Sequence, residues 1–324
     1  MRKAALRRQA DDVINYLPVS SLHAARSRRL ERLLRRHRFD IAHYGRMAGV
    51  IGDHISDKIR IFGRYELDEL QALDAFVLAR LPGRTRCCVD VGANIGNHCL
   101  YFSRRFDKVL AFEPNPLAVD LLRWNLRANS IRNVTVHAVG LAEQPSTATM
   151  SIVDRNLGAS HLDAQPTVDS PGCEHVQVTL ARGDDLLLAE EVVDLIKIDV
   201  EGFELDVLRG LRRTLERHRP IVLAEALPSR IDPTTGTTGV ADLLAGLGYV
   251  PFEMLWRRRS RVKWLDALLT AVLGTRIRLL RPIRRFEHRN YPMIVFLPKE
   301  DVPLVRQDAV TTGRSRDRDP ANRP

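Results

Sequence analysis

The chain has 324 residues, 44% of them hydrophobic, and carries a formal net charge of +10. That length holds one large domain with extensions and a sizeable core. No apolar run approaches the roughly 18 residues of a membrane-spanning helix, and the arginine-rich first thirty residues do not read as a secretory leader, so a cytoplasmic protein is expected.

The charge is unevenly placed. Residues 1–60 hold 14 Lys/Arg against 6 Asp/Glu, residues 255–287 hold 10 against 2, and the remainder sums to −6. A nucleic-acid enzyme more often concentrates basic charge around the site itself, so nucleic acid is not the expected partner. Detached basic segments suit peripheral contact with an anionic membrane face, through 1–60 or 257–287. The four cysteines show no metal or disulfide spacing, and Cys87, Cys88 and Cys99 read as small core residues.

Residues 1–60 form a basic N-terminal extension, whose first 45 residues read as polar helices with Leu30, Leu33 and Leu34 at helical spacing among arginines. A helix follows at 65–81 and ends at Pro82-Gly83. From Cys87 the pattern alternates strand and helix, as in a parallel sheet. Strand one, 86–91, runs into Asp90-Val91-Gly92-Ala93-Asn94-Ile95-Gly96-Asn97, a glycine turn that opens a helix. Glycine permits φ > 0 and close ligand approach, and a helix start offers N–H groups to a polar ligand. Gly92 and Gly96 do not fit the dinucleotide spacing G-x-G-x-x-G, which points to a nucleoside cofactor without a pyrophosphate, S-adenosylmethionine above all. Strand two, 108–113, ends on Glu113, placed to hold both hydroxyls of a ribose. Asn115 follows, then a helix at 116–129. Strand three spans 133–139 and ends at Val139-Gly140.

Residues 143–181 hold two extra strands, 148–153 and 176–180, joined by a polar loop that contains His161. Asp184-Asp185 reads as a helix cap. Strand four, 193–199, ends in the carboxylates Asp199 and Glu201, and a helix spans 202–217. Strand five, 220–225, ends on Glu225. Strand six spans 249–255, and the last strand spans 291–297. Between them lies the basic insertion 257–287, with Trp264 and several leucines, read as a cap or a membrane tether. The tail 306–324 has no apolar pattern and reads as disordered.

Parallel-sheet ligands bind beyond the carboxyl ends of the strands, where Asp90, Glu113, Val139-Gly140, Asp199 and Glu225 all fall. The expected cofactor set is Asp90, Gly92, Ala93, Asn94, Gly96, Asn97, Glu113, Asn115, Val139 and Gly140. Tyr65 and Glu225 are expected to face the acceptor. Asp199, Glu201 and His161 are the candidate catalytic groups, since a sugar hydroxyl needs its proton removed. Asp199 and Glu201 could also bind Mg²⁺. Lys197, inside strand four, is expected to pair with an acid.

The stretch Asp90 to Gly96, taken with Ile196-Lys197-Ile198-Asp199-Val200-Glu201-Gly202, resembles the FkbM family of S-adenosylmethionine-dependent methyltransferases. Tyr65-Glu66, Phe112-Glu113-Pro114-Asn115 and Pro220 to Glu225 match further. The likeness extends over roughly residues 60 to 256 and the last strand, within an expected domain of 61–305 that includes the insertion. It implies an α/β class I methyltransferase (Rossmann-like) fold, a doubly wound seven-stranded sheet with its last strand antiparallel. It also implies O-methyl transfer to a hydroxyl of a glycan, lipid-linked sugar or secondary metabolite. Three other readings compete: a nucleic-acid methyltransferase, which lacks its usual Asn/Asp-Pro-Pro-aromatic turn here; a NAD enzyme, opposed by the glycine spacing; and a membrane-associated binding protein that keeps the fold.

Overall fold

The computed structural model describes residues 46–50, 53–62, 65–153, 160–162, 173–257 and 277–306. The expected helices of residues 1–45, the tail from 307, Trp264 with the middle of the insertion, and the His161 side chain lie outside the described residues.

The chain runs α1 (His54–Phe62), α2 (Leu67–Phe76), β1 (Cys87–Val91), α3 (Asn97–Phe102), β2 (Lys108–Phe112), α4 (Pro116–Ala128), β3 (Val134–His137), β4 (Gly140–Ala142), β5 (Ser146–Val153), β6 (His161–Leu162), β7 (Cys173–Arg182), α5 (Gly183–Leu187), β8 (Leu195–Ile198), α6 (Glu204–Gly210), α7 (Arg212–His218), β9 (Ile221–Ala226), α8 (Gly239–Gly246), β10 (Tyr249–Arg257), β11 (Ile277–Pro282), β12 (Tyr291–Pro298) and α9 (Val302–Arg306).

The main sheet has the order β11-β10-β12-β9-β8-β1-β2-β3. β3, β2, β1, β8 and β9 are mutually parallel, and β12 runs antiparallel between β9 and β10. The order reverses between β1 and β8, which puts the ligand crevice of a doubly wound sheet at their carboxyl ends. Alternate residues of β1 feed opposite faces: Cys88 joins the core beneath α2 and α3, while Cys87, Val89 and Val91 join the core beneath α6 and α7. Burial pushes the Cys87 thiol up to about 11, and Cys88 and Cys99 rise for the same reason, as inert core thiols do.

Four elements differ from the sequence expectation. The sheet has an eighth strand, β11, from the end of the segment expected to be a detached insertion. It covers the edge of β10 that would otherwise expose unpaired backbone. Leu280 packs on the core there, and Arg281 meets the buried Glu253. Strand three stops at His137, because residues 140–142 turn away to pair with β7 in a second sheet of order β4-β7-β5-β6. A Cβ on Gly140 would lie 2.6 Å from Leu180 Cδ2, so a larger residue at that crossing would make the leucine side chain shift. The expected helix 202–217 breaks at Leu211 into α6 and α7. Asp184, fully buried, caps α7 rather than its own helix: Oδ1 accepts from the Thr214 N–H and hydroxyl, and Oδ2 accepts from the Arg213 N–H.

Candidate functional site

The glycine turn is held from inside the protein. Gly92 and Ala93 donate their N–H groups to the Phe112 carbonyl, Gly96 donates to Ala93, Asn94 donates to Glu113, and Ile95 donates to the Asn94 side chain. The Ile95 carbonyl accepts from the buried Asn125 amide at 2.7 Å. The turn from Gly92 to Gly96 therefore has its N–H groups occupied within the protein, while the expected donors at the start of α3 come after it. A pyrophosphate would want those groups free. Gly92 is required for a second reason: at φ +74 its Cβ would sit 1.9 Å from the Asp199 carbonyl oxygen. Its missing side chain serves the contact between the ends of β1 and β8.

Glu113 closes β2 with both oxygens aligned. Oε2 accepts from the Asn94 N–H at 2.8 Å and Oε1 from the Asn115 N–H at 2.9 Å. Each oxygen keeps a second lone pair. Burial raises the carboxyl to about 7, against the two backbone bonds that lower it. Asn115 caps α4 by accepting from the Leu117 and Ala118 N–H groups.

Below the turn, Lys197 is buried in β8. Its ammonium donates to the Gly92 carbonyl at 3.0 Å and forms ion pairs with Asp90 Oδ1 at 3.1 Å and Asp199 Oδ2 at 3.4 Å. Burial alone would lower its pKa; the Asp90 and Asp199 charges outweigh that and hold it above the ordinary value. Asp90 also accepts from the Cys99 thiol.

The Tyr65-Glu66 turn, where Glu66 takes φ +53, is latched onto the start of α3. The Asn97 amide accepts from the Tyr65 N–H and donates to the Tyr65 carbonyl, at 3.1 and 2.9 Å. Beside it, His98 Nε2 lies 3.2 Å from Glu66 Oε2. Burial, then Glu66, Asp199 and Glu225, raise the Tyr65 phenol. Across from this turn, Asp199, Glu201 and Glu225 can each place one oxygen within 4.8 Å of the others, a spacing that could hold a cation. Glu225 is pushed up to about 8 by burial and by the neighbouring carboxylates, Asp199 foremost. Glu204 turns away and accepts from the Gly202 N–H at the start of α6.

One cavity gathers most of the expected site residues. Gly92, Ala93, Asn94, Asn97, Glu113, Gly140, Tyr65, Asp199, Glu201 and Glu225 all line it. Four expected cofactor residues do not line it. Asp90 faces Lys197 and Cys99, Gly96 starts α3, Asn115 caps α4, and Val139 packs against the core. The His161 backbone pairs with Ser151 in β6. Sequence reading passed over Glu66, His98 and Ser160, which also line the cavity. Glu66 and His98 stand directly beside Tyr65 and Asn97, so polarity next to flagged positions was the available signal.

The profile described as the Methyltransferase FkbM domain matches residues 90–251, half of the chain. The chain belongs to the FkbM methyltransferase family. The strand order, with one antiparallel strand between β9 and β10, is the class I methyltransferase arrangement, extended by β11. Among curated relatives, "Methyltransferase sdnD" of Sordaria araneosa is 31% identical over 205 residues, 54% of this chain and 79% of that one. "Methyltransferase 1" of Beauveria bassiana is 33% identical over 144 residues, 38% of this chain and 57% of that one. "Hexuronic acid methyltransferase AglP" of Haloferax volcanii is 33% identical over 130 residues, 39% and 50%. The match thus spans little more than half the length of the Beauveria protein and half that of the Haloferax protein.

Proposed function

We propose that this FkbM protein is an S-adenosylmethionine-dependent O-methyltransferase acting on a hydroxyl of a glycan, lipid-linked sugar or secondary metabolite. The observation that carries the reading is one cavity with a ribose-ready carboxylate at its β2 end and an acidic wall at its β8 and β9 ends. The occupied N–H groups of the glycine turn favour a cofactor without a pyrophosphate. The cofactor would supply an electrophilic methyl group on a sulfonium. Glu113 would hold its ribose, and the turn from Gly92 to Asn94 would flank its amino-acid part.

The wall of Asp199, Glu201 and Glu225 would receive the acceptor. Alignment of the hydroxyl against the methyl group removes most of the entropic barrier. Asp199 and Glu201 would orient the hydroxyl, and Glu225, whose carboxyl is raised to about 8 by burial and its acidic neighbours, would take its proton. The same three carboxylates would serve a divalent cation that polarises the hydroxyl. An acidic wall repels phosphates and carboxylates, which supports a neutral acceptor over nucleic acid or a uronate. The two basic segments would add peripheral contact with an anionic membrane, a proposal resting on their charge. Among the described residues no helix is long and apolar enough to cross a membrane.

Titration calorimetry with S-adenosylmethionine, and NAD as control, tests the reading. Micromolar binding of the first alone supports it and opens a screen of neutral glycosides as acceptors. Binding of NAD, or of neither, overturns it.

A further inference from the structure

Ser160 lies just before β6, at the edge of the second sheet. It is 7% exposed, and its hydroxyl has no hydrogen-bond partner although the residue lines the cavity. A buried hydroxyl left without a partner is destabilising, so this one is suited to a polar group that enters with a ligand.

Its place in the fold says which ligand. Among the described residues β6 pairs with β5 alone, in the register Ser151 with His161, which puts Ser160 level with Ile152. Ile152 shares a hydrophobic cluster with Ile95 of the glycine turn, Leu121 of α4 and Tyr65. Its neighbour Met150 lines the cavity beside Gly140 and Leu141. The second sheet grows from the end of β3, next to β2, where Glu113 waits. The acidic wall belongs to β8 and β9, on the other side of β1. By strand order, the orphan hydroxyl thus enters the cavity from the second sheet, which leaves the main sheet on the β2 side of β1.

We propose that Ser160 is a binding residue for the adenosine part of the methyl donor, supplied by the second sheet as it covers the nucleoside. The proposal rests on the cofactor reading above and adds a polar contact that the strand ends of the main sheet do not provide.

Calorimetry of wild type and Ser160→Ala with S-adenosylhomocysteine, and separately with adenosine, tests it. The variant should lose about tenfold in affinity for both ligands, the effect of one buried hydrogen bond. Its ligand-free thermal midpoint should stay level or rise, because an orphan group has been removed. Loss for S-adenosylhomocysteine with adenosine unchanged would place the contact elsewhere and overturn the proposal. Unchanged affinity for both, or a lower ligand-free midpoint, would overturn it too, the latter by making the hydroxyl structural. A wild type that binds neither ligand removes the cofactor reading itself, and the proposal with it.

Discussion

Lys197 Nζ lies 3.1 Å from Asp90 Oδ1, with side-chain exposures of 5% and 0%. The same ammonium reaches the Gly92 carbonyl and Asp199. One buried cation thus joins the ends of β1 and β8 at the point where the strand order reverses.

Breaking that pair should unsettle the fold more than the chemistry. Asp90→Asn leaves the ammonium short of a partner and should cost about 3 kcal/mol in urea unfolding. The double change Asp90→Asn with Lys197→Met removes both charges and should recover much of that loss. A double variant as unstable as the sum of the two single changes would contradict it.

Glu113→Gln keeps the shape but loses the charge and one of the two aligned acceptor oxygens. Affinity for S-adenosylhomocysteine should fall by tenfold or more, consistent with about 1.5–3 kcal/mol for a charged hydrogen bond. Calorimetry checks this, and a circular dichroism spectrum like that of wild type separates it from misfolding. Wild-type affinity would remove Glu113 from the ribose role.

Stability without ligand should fall as pH rises from about 5 to 8. Glu113 and Glu225 titrate near 7 and 8 in the folded chain against 4.5 ordinarily, each raised first by burial. Between those values the folded chain holds protons that the unfolded chain has released, so raising the pH favours unfolding. Thermal melts across this range should show the decline, and Glu225→Gln should flatten its upper end. An unchanged slope in that variant would show that Glu225 titrates normally.

Glu225→Gln should lower methyl transfer to a neutral glycoside by about 10²-fold or more, as loss of a general base does. Calorimetric affinity for the cofactor should hold. A variant within threefold of wild type would shift the proton-accepting role to Asp199 or Glu201.

The alternation of strands and helices from Cys87 to Glu225 was legible because buried parallel strands read as short apolar runs, and because their ends carry polar residues. That is why Glu113, Asp199 and Glu225 could be placed on one rim. Misreadings came where tertiary contacts decide. Asp90 sits inside the sequence signature, but alternation along β1 turns it toward Lys197. Asn115 does not line the cavity, and its side-chain oxygen caps α4, a role set by turn geometry. Ile277 to Pro282 looked like part of an insertion because nothing local reveals that β10 has an open edge. Glu66 and His98 meet only when the turn before α2 folds back onto α3.

The pairing of Arg257 with Ile277 has a consequence for diversification. Whatever lies between them departs from and returns to adjacent strands at matched positions, so its two ends are fixed about 5 Å apart. Chain can be lengthened, shortened or exchanged between such posts without moving the sheet. The outermost hairpin of this protein is therefore a natural grafting point, where new surface can be fitted without moving the sheet.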